Sequence, residues 1–147
     1  MNFIDALPSP RGQLCLQTIA MPKDANSHGD IFGGWLVAQM DLAAGVAARK
    51  RAQGRTATVA IDAMVFLRSV KVGDIVGFYT DMESAGRSSM KIRVEVWALS
   101  DITGQHSKLT EGLFTFVAIN DDGRTRALPP ELAYGERGAG PKVGPNS

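Results

Sequence analysis

Apolar and polar residues alternate with a period of two through most of this chain, and one long stretch abandons that alternation. Residues 13 to 20, Gln-Leu-Cys-Leu-Gln-Thr-Ile-Ala, alternate well enough for a strand, and Pro22, which has no amide hydrogen to give a ladder, stops it. In residues 89 to 98, Met90, Ile92, Val94 and Val96 alternate with Ser89, Lys91, Arg93 and Glu95, which predicts one buried and one solvated face. Residues 57 to 67 differ, being apolar on both sides: Val59, Ile61, Val65 and Leu67 are expected on one face, Ala60, Met64 and Phe66 on the other. Such a strand needs cover twice, from a helix and from another subunit. Turn residues at Val72-Gly73-Asp74, Ser84-Ala85-Gly86-Arg87 and Asp101-Ile102-Thr103-Gly104 divide residues 57 to 120 into three or four strands. Connections that short make the sheet antiparallel.

The period of two is lost between about Gly34 and Ala52, where Trp35, Leu36, Val37, Ala38, Met40, Leu42 and a series of alanines run without proline. This predicts one helix, apolar nearly all round. Arg49, Lys50 and Arg51 close it, cations at the negative end of the helix dipole, expected as a solvated cluster. Residues 31 to 48 are long enough to span a bilayer, but Gln39, Asp41 and the glycines among them favour a buried helix of a soluble protein. Between Pro22 and Gly34, Asp24, Asn26, Ser27, Gly29 and Asp30 give a loop. After Pro129 and Pro130 periodicity ends. The expected organisation is an amino-terminal segment 1–12, one domain over 13–130 and a flexible tail over 131–147.

Composition narrows the function. The chain has 147 residues, 44% hydrophobic and 21% charged, which suits one globular domain and excludes wholesale disorder. Sixteen basic and fifteen acidic residues leave a formal charge of +1, too little to hold a phosphate backbone, so nucleic acid is not an expected partner. Cys15 is the single cysteine and His28 and His106 the only histidines, so neither a disulfide nor a metal site is expected. The first ten residues carry neither the basic nor the apolar region of a secretory signal, and the expected location is the cytoplasm.

Asp41 is the most informative position, an acid in the middle of the most hydrophobic helix. A carboxylate taken out of water must be hydrogen-bonded, paired or protonated. Its neighbours on the same stripe, Gly34, Val37, Ala38, Ala44, Gly45 and Ala48, are small enough to leave a cleft beside it. Gly33 and Gly34 stand where loop becomes helix, and the first amides of a helix lack intrahelical acceptors, so they can bind a developing oxyanion. Asn26 offers a donor and an acceptor, either to cap local backbone or to orient a water. His28 is a lone loop histidine and a poor candidate for a base. The turn Gly86-Arg87-Ser88-Ser89 gathers a guanidinium, hydroxyls and amides, a set able to hold phosphate, although an ordinary hairpin accounts for it equally well. Walker, dinucleotide-binding and Gly-x-Ser-x-Gly motifs are absent, and Cys15 reads as core.

The order of strand, polar loop, long buried helix and antiparallel strands resembles the hotdog fold. The run Ala20-Met21-Pro22, Asp24-Ala25-Asn26, Gly29-Asp30-Ile31-Phe32-Gly33-Gly34-Trp35 and Gln39-Met40-Asp41 is similar to the signature of YciA-like acyl-CoA thioesterases. The similarity continues through Thr58-Val59-Ala60, Val72-Gly73-Asp74, Gly86-Arg87-Ser88-Ser89, Lys91 to Trp97 and Phe114 to Ala118, covering about residues 13 to 130. The resemblance implies an α+β hotdog domain, a curved antiparallel sheet wrapped around one central helix. It implies a family carboxylate at Asp41, an oxyanion-hole amide at Gly34 and a loop asparagine at Asn26. Gly33, Val59, Gly86, Arg87, Ser88 and Ser89 would bind substrate. It further implies a homodimer with the active site between subunits, assembled as a trimer of dimers into a hexamer.

The expected activity is hydrolysis of acyl-CoA to a free acid and CoA. Asp41 would serve as general base or nucleophile, with no cofactor beyond the CoA carried by substrate and product. A non-catalytic acyl-CoA-binding module and a hotdog hydratase or dehydratase are the alternatives.

Overall fold

A computed structural model describes residues 9–99 and 105–131. The turn expected at 101–104, most of the amino-terminal segment and the tail beyond Glu131 lie outside the described residues. The elements are β1 (Gln13–Ile19), a single 3-10 turn (Pro22–Asp24), α1 (Gly33–Ala52), β2 (Thr56–Phe66), β3 (Ile75–Ala85), β4 (Ser89–Leu99) and β5 (His106–Ala118). The five strands form one antiparallel sheet in the order β1-β3-β4-β5-β2, and α1 packs against all five. The hotdog expectation holds.

The alternation in β4 builds the core as its sequence requires. Met90, Ile92, Val94 and Val96 are fully buried, with Phe78 of β3 and Phe114 and Phe116 of β5, beneath Met40, Ala43, Ala44, Ala48 and Ala52 of α1. Alanine at these positions lets the sheet come close, and burying the large aromatic and aliphatic side chains supplies about 1.5–3 kcal/mol each. The opposite face of β4 departs from expectation at Glu95, which is buried rather than solvated. Its Oε1 accepts the indole N–H of Trp97 at 2.9 Å, and Lys108 lies within ion-pair distance of its other oxygen. A buried carboxylate with such partners is tolerated because its charge is met by a donor and a cation.

The helix starts one residue earlier than expected, at Gly33, and ends at Ala52, capped by Gln53, whose left-handed φ of 53° lets its backbone N–H donate to the Arg49 carbonyl. Arg51 is not simply solvated: it donates to the Pro129 carbonyl at 2.7 Å, and Arg126 reaches the Ala52 carbonyl at 3.0 Å. The segment after β5 is thereby tied to the helix carboxyl end, with Leu128 against the core.

β2 is an edge strand, and two bulges break its alternation, between Thr58 and Ala60 and between Asp62 and Val65. Ala63 adopts a φ of 50° inside the second. Thr58 pairs with Phe116, Ile61 with Phe114 and Phe66 with Thr110, partners all buried under the helix. Side chains of paired residues share a face, so Thr58, Ile61 and Phe66 all face the helix side, whereas Val65 pairs with Glu111 on the other. The expected grouping of Ile61 with Val65 is corrected, because each bulge inserts a residue and reverses the phase.

Candidate active site

Asp41 sits in the third turn of α1, and Thr58 Oγ1 donates to its Oδ1 at 2.7 Å. The first bulge of β2 lies immediately after Thr58, which faces the helix before the phase reverses. Within one chain Asp41 is half-buried. Leu42 (56% exposed), Val46, Val59 (56%) and Ile61 leave an uncovered apolar face across α1 and the β2 edge around this pair. An apolar face beside an unpaired strand edge is an interaction surface.

Gly34 lies seven residues before Asp41, about 20° short of two full turns and about 10 Å along the axis, so both share one face of the helix. Phe32, the residue preceding α1, provides no side-chain cap, and the amides of Gly33 and Gly34 take no acceptor among the described residues. A Cβ built at Gly34 would meet nothing within 4 Å, so a ligand atom can approach that amide directly. At Gly33 the ring of Phe66 stands 3.6 Å from where a Cβ would lie. Next to it runs an open groove of about 330 Å³ whose walls include Ile31, Leu36, Phe66 and Val70. A larger cleft of about 570 Å³, between Gln13, Lys50, Thr80 and Pro130, lies at the other end of the helix and contains none of the candidate catalytic or substrate-binding residues.

Asn26 is exposed, and its Oδ1 accepts the amides of His28 at 2.9 Å and Asp30 at 3.1 Å. Its acceptor therefore shapes the loop, while its side-chain N–H group makes no hydrogen bond among the described residues. One chain does not bring Asn26 or His28 into contact with Asp41. The Gly86 to Ser89 turn is held by backbone bonds, from Gly86 to Ser89 at 2.8 Å, from Ala118 to Ser88 at 2.8 Å and from Leu128 to Arg87 at 2.7 Å. Arg87 is exposed, and the turn opens onto the end of the sheet where β2 starts, since Ser89 pairs with Val117 and Val117 with Ala57.

Cys15 packs on the core, its thiol donating to the Ala43 carbonyl at 3.3 Å, and burial pushes its pKa up, which makes it a poor nucleophile. Among the described residues no three His, Cys, Asp or Glu side chains come together as a metal site, and no helix is long and apolar enough to cross a membrane. Thr58 is the residue the sequence reading missed. A threonine in a strand is unremarked by composition, and only its position opposite an acidic helix residue marks it.

Comparison with known proteins agrees with this architecture. A family model described as the thioesterase superfamily matches residues 28–105. The acyl-CoA thioester hydrolase YciA of Escherichia coli strain K12 is 47% identical over 125 residues, covering 83% of this chain and 95% of that protein. The crystal structure of a hexameric thioesterase, y2039, from Yersinia pestis superposes with a TM-score of 0.80 at 47% identity, covering 83% of this chain and all (100%) of that one. An acyl-CoA hydrolase from Staphylococcus aureus, solved with butyryl-CoA and CoA, gives a TM-score of 0.75 at 30% identity over 83% of this chain and 76% of that one. By the family match, the identity and the shared hotdog sheet, this chain belongs to the thioesterase superfamily, alongside the YciA acyl-CoA thioester hydrolases.

Proposed function

We propose that the protein hydrolyses acyl-CoA thioesters to a free carboxylic acid and CoA, with Asp41 as the reacting carboxylate. The observation that carries this reading is the Thr58 to Asp41 hydrogen bond on the same helix face as the open amides of Gly33 and Gly34. A thioester carbonyl received by the Gly34 amide gains from the positive end of the helix dipole as its oxygen becomes an oxyanion. Because Gly34 and Asp41 of one helix lie about 10 Å apart along its axis, Asp41 of the other subunit of the dimer meets a carbonyl held at Gly34, and removes a proton from water attacking the carbonyl carbon or attacks that carbon itself to form a mixed anhydride that water opens. In both routes the C–S bond breaks and the CoA thiolate leaves. Thr58 acts through Asp41, fixing the carboxylate's orientation.

Asn26 supplies its amide N–H from a second subunit, consistent with its position away from Asp41 in its own chain. The homodimer forms through the apolar face of α1 and β2, with Val59 at the substrate edge, and three dimers give the hexamer. The Y. pestis relative is described as hexameric, and the S. aureus enzyme has been solved with an asparagine, an aspartate or a threonine replaced by alanine, the residue types of Asn26, Asp41 and Thr58. Arg87, with Gly86, Ser88 and Ser89, holds phosphate of the CoA moiety, and no other cofactor takes part. The chain works in the cytoplasm, where acyl-CoA is made and used.

The test is thiol release from a panel of acyl-CoAs by wild type and Asp41→Asn, subtracting the one stoichiometric signal Cys15 can give. Turnover should fall by about 10²–10⁴-fold in the variant, with acyl-CoA still bound. Binding without turnover by wild type would move the protein to the binding-module reading.

A further inference from the structure

The groove beside Gly33 has a floor and a rim of different chemistry. Its floor is Ile31, Leu36 and Val70, 7%, 3% and 1% exposed, and carries no side-chain donor or acceptor. Its rim holds Asp30, Arg68 and Ser69, and Asp30 is ion-paired with Lys71. The open apolar surface of the groove is its wall of Phe66 and Leu67, each 52% exposed, and a hydrocarbon chain lies against that wall without giving up hydrogen bonds. The groove starts at Gly33, next to the amide assigned to the thioester carbonyl, where the acyl substituent of that carbonyl begins.

We infer that this groove receives the acyl chain of the substrate, and that Phe66 sets the length of chain it accepts. The inference rests on the hydrolase reading and deepens it. Phe66 pairs with Thr110, so its ring faces the helix side, where it abuts Gly33 and forms one wall of the groove. It is 52% exposed within one chain, so its size can change without opening the core. A longer chain meets the ring, and a shorter one leaves part of the exposed Phe66 and Leu67 wall wet.

The experiment measures kcat/KM for unbranched acyl-CoAs of increasing length with wild type, Phe66→Ala and Phe66→Trp. The alanine variant should move the optimum to longer chains, raising the long-to-short ratio about tenfold or more, because one methylene in an apolar pocket changes discrimination about 10- to 200-fold. The tryptophan variant should move it the other way. If both variants scale every chain length by one factor, the ring only supports the fold or assembly and the inference is wrong. If KM rises equally for all lengths and inhibition by free CoA weakens in step, the groove holds the pantetheine arm, which also overturns it. Absence of turnover by wild type would defeat the hydrolase reading instead. Length-dependent binding of the same acyl-CoAs to the two variants, read by calorimetry, would then decide the role of the groove.

Discussion

Replacing Thr58 by valine removes one hydroxyl and keeps the branched shape, so it isolates the hydrogen bond to Asp41. That bond spans 2.7 Å and ends on a carboxylate, a class whose net worth is about 1.5–3 kcal/mol. Thr58 is exposed in one chain, so water can replace its hydroxyl, and the folded protein should lose no more than about 1 kcal/mol. Catalysis should lose more than stability, because the bond selects one orientation of the carboxylate. At about 1.4 kcal/mol per factor of ten, kcat should fall about 10- to 100-fold. KM should hold, since an interaction that acts on the reacting group alone leaves ground-state binding intact. Thiol-release kinetics on one good acyl-CoA give kcat and KM, and denaturant melts give stability. Thr58→Ser keeps a donor and should recover most of the rate. The reasoning fails if valine leaves kcat unchanged, if the loss falls on KM, or if serine is as poor as valine.

Three further outcomes are expected. Gly34→Ala should fold at least as well as wild type, up to about 1 kcal/mol more stable, because its methyl meets nothing and alanine favours helix; kcat should nevertheless drop as the methyl blocks approach to the amide, and a fall in melting temperature matching the fall in rate would refute this. Arg87→Ala should raise KM for acyl-CoA but leave KM for an acyl thioester lacking the nucleotide unchanged, and equal effects on both would remove Arg87 from phosphate binding. The hydrogen bond from Arg93 holds the Glu83 carboxyl below its ordinary pKa. Its small stabilisation is therefore present above that ordinary value and is lost as pH falls through the lowered one. Glu83→Gln should melt slightly earlier than wild type at neutral pH and coincide with it in strong acid, and a gap that persists in acid would contradict the linkage.

Much of this protein was legible in its sequence, and the physical reason is periodicity. Clean alternation in β4 named its buried face, an unbroken apolar run without proline named the helix, and loop chemistry placed Gly33 and Gly34 at its start within one residue. The acid at Asp41 stood out because a charge in such a run requires a partner.

The identity of that partner was decided by the tertiary structure alone. Two bulges in β2 reset which residues face the helix, and no local signal distinguishes a bulged edge strand from a regular one. Thr58 faces Asp41 ahead of the first bulge, and the reset then brings Ile61 to the same side and aligns it with Phe66 rather than with Val65. Burial of Glu95 on the outer face likewise follows from Trp97 two residues along the same strand and Lys108 on the next, a meeting that only strand pairing creates. The sequence by itself determined the elements and singled out the helix acid that we propose reacts. Folding decided which side chains meet, because contact across a sheet depends on register, and one inserted residue changes every partner beyond it.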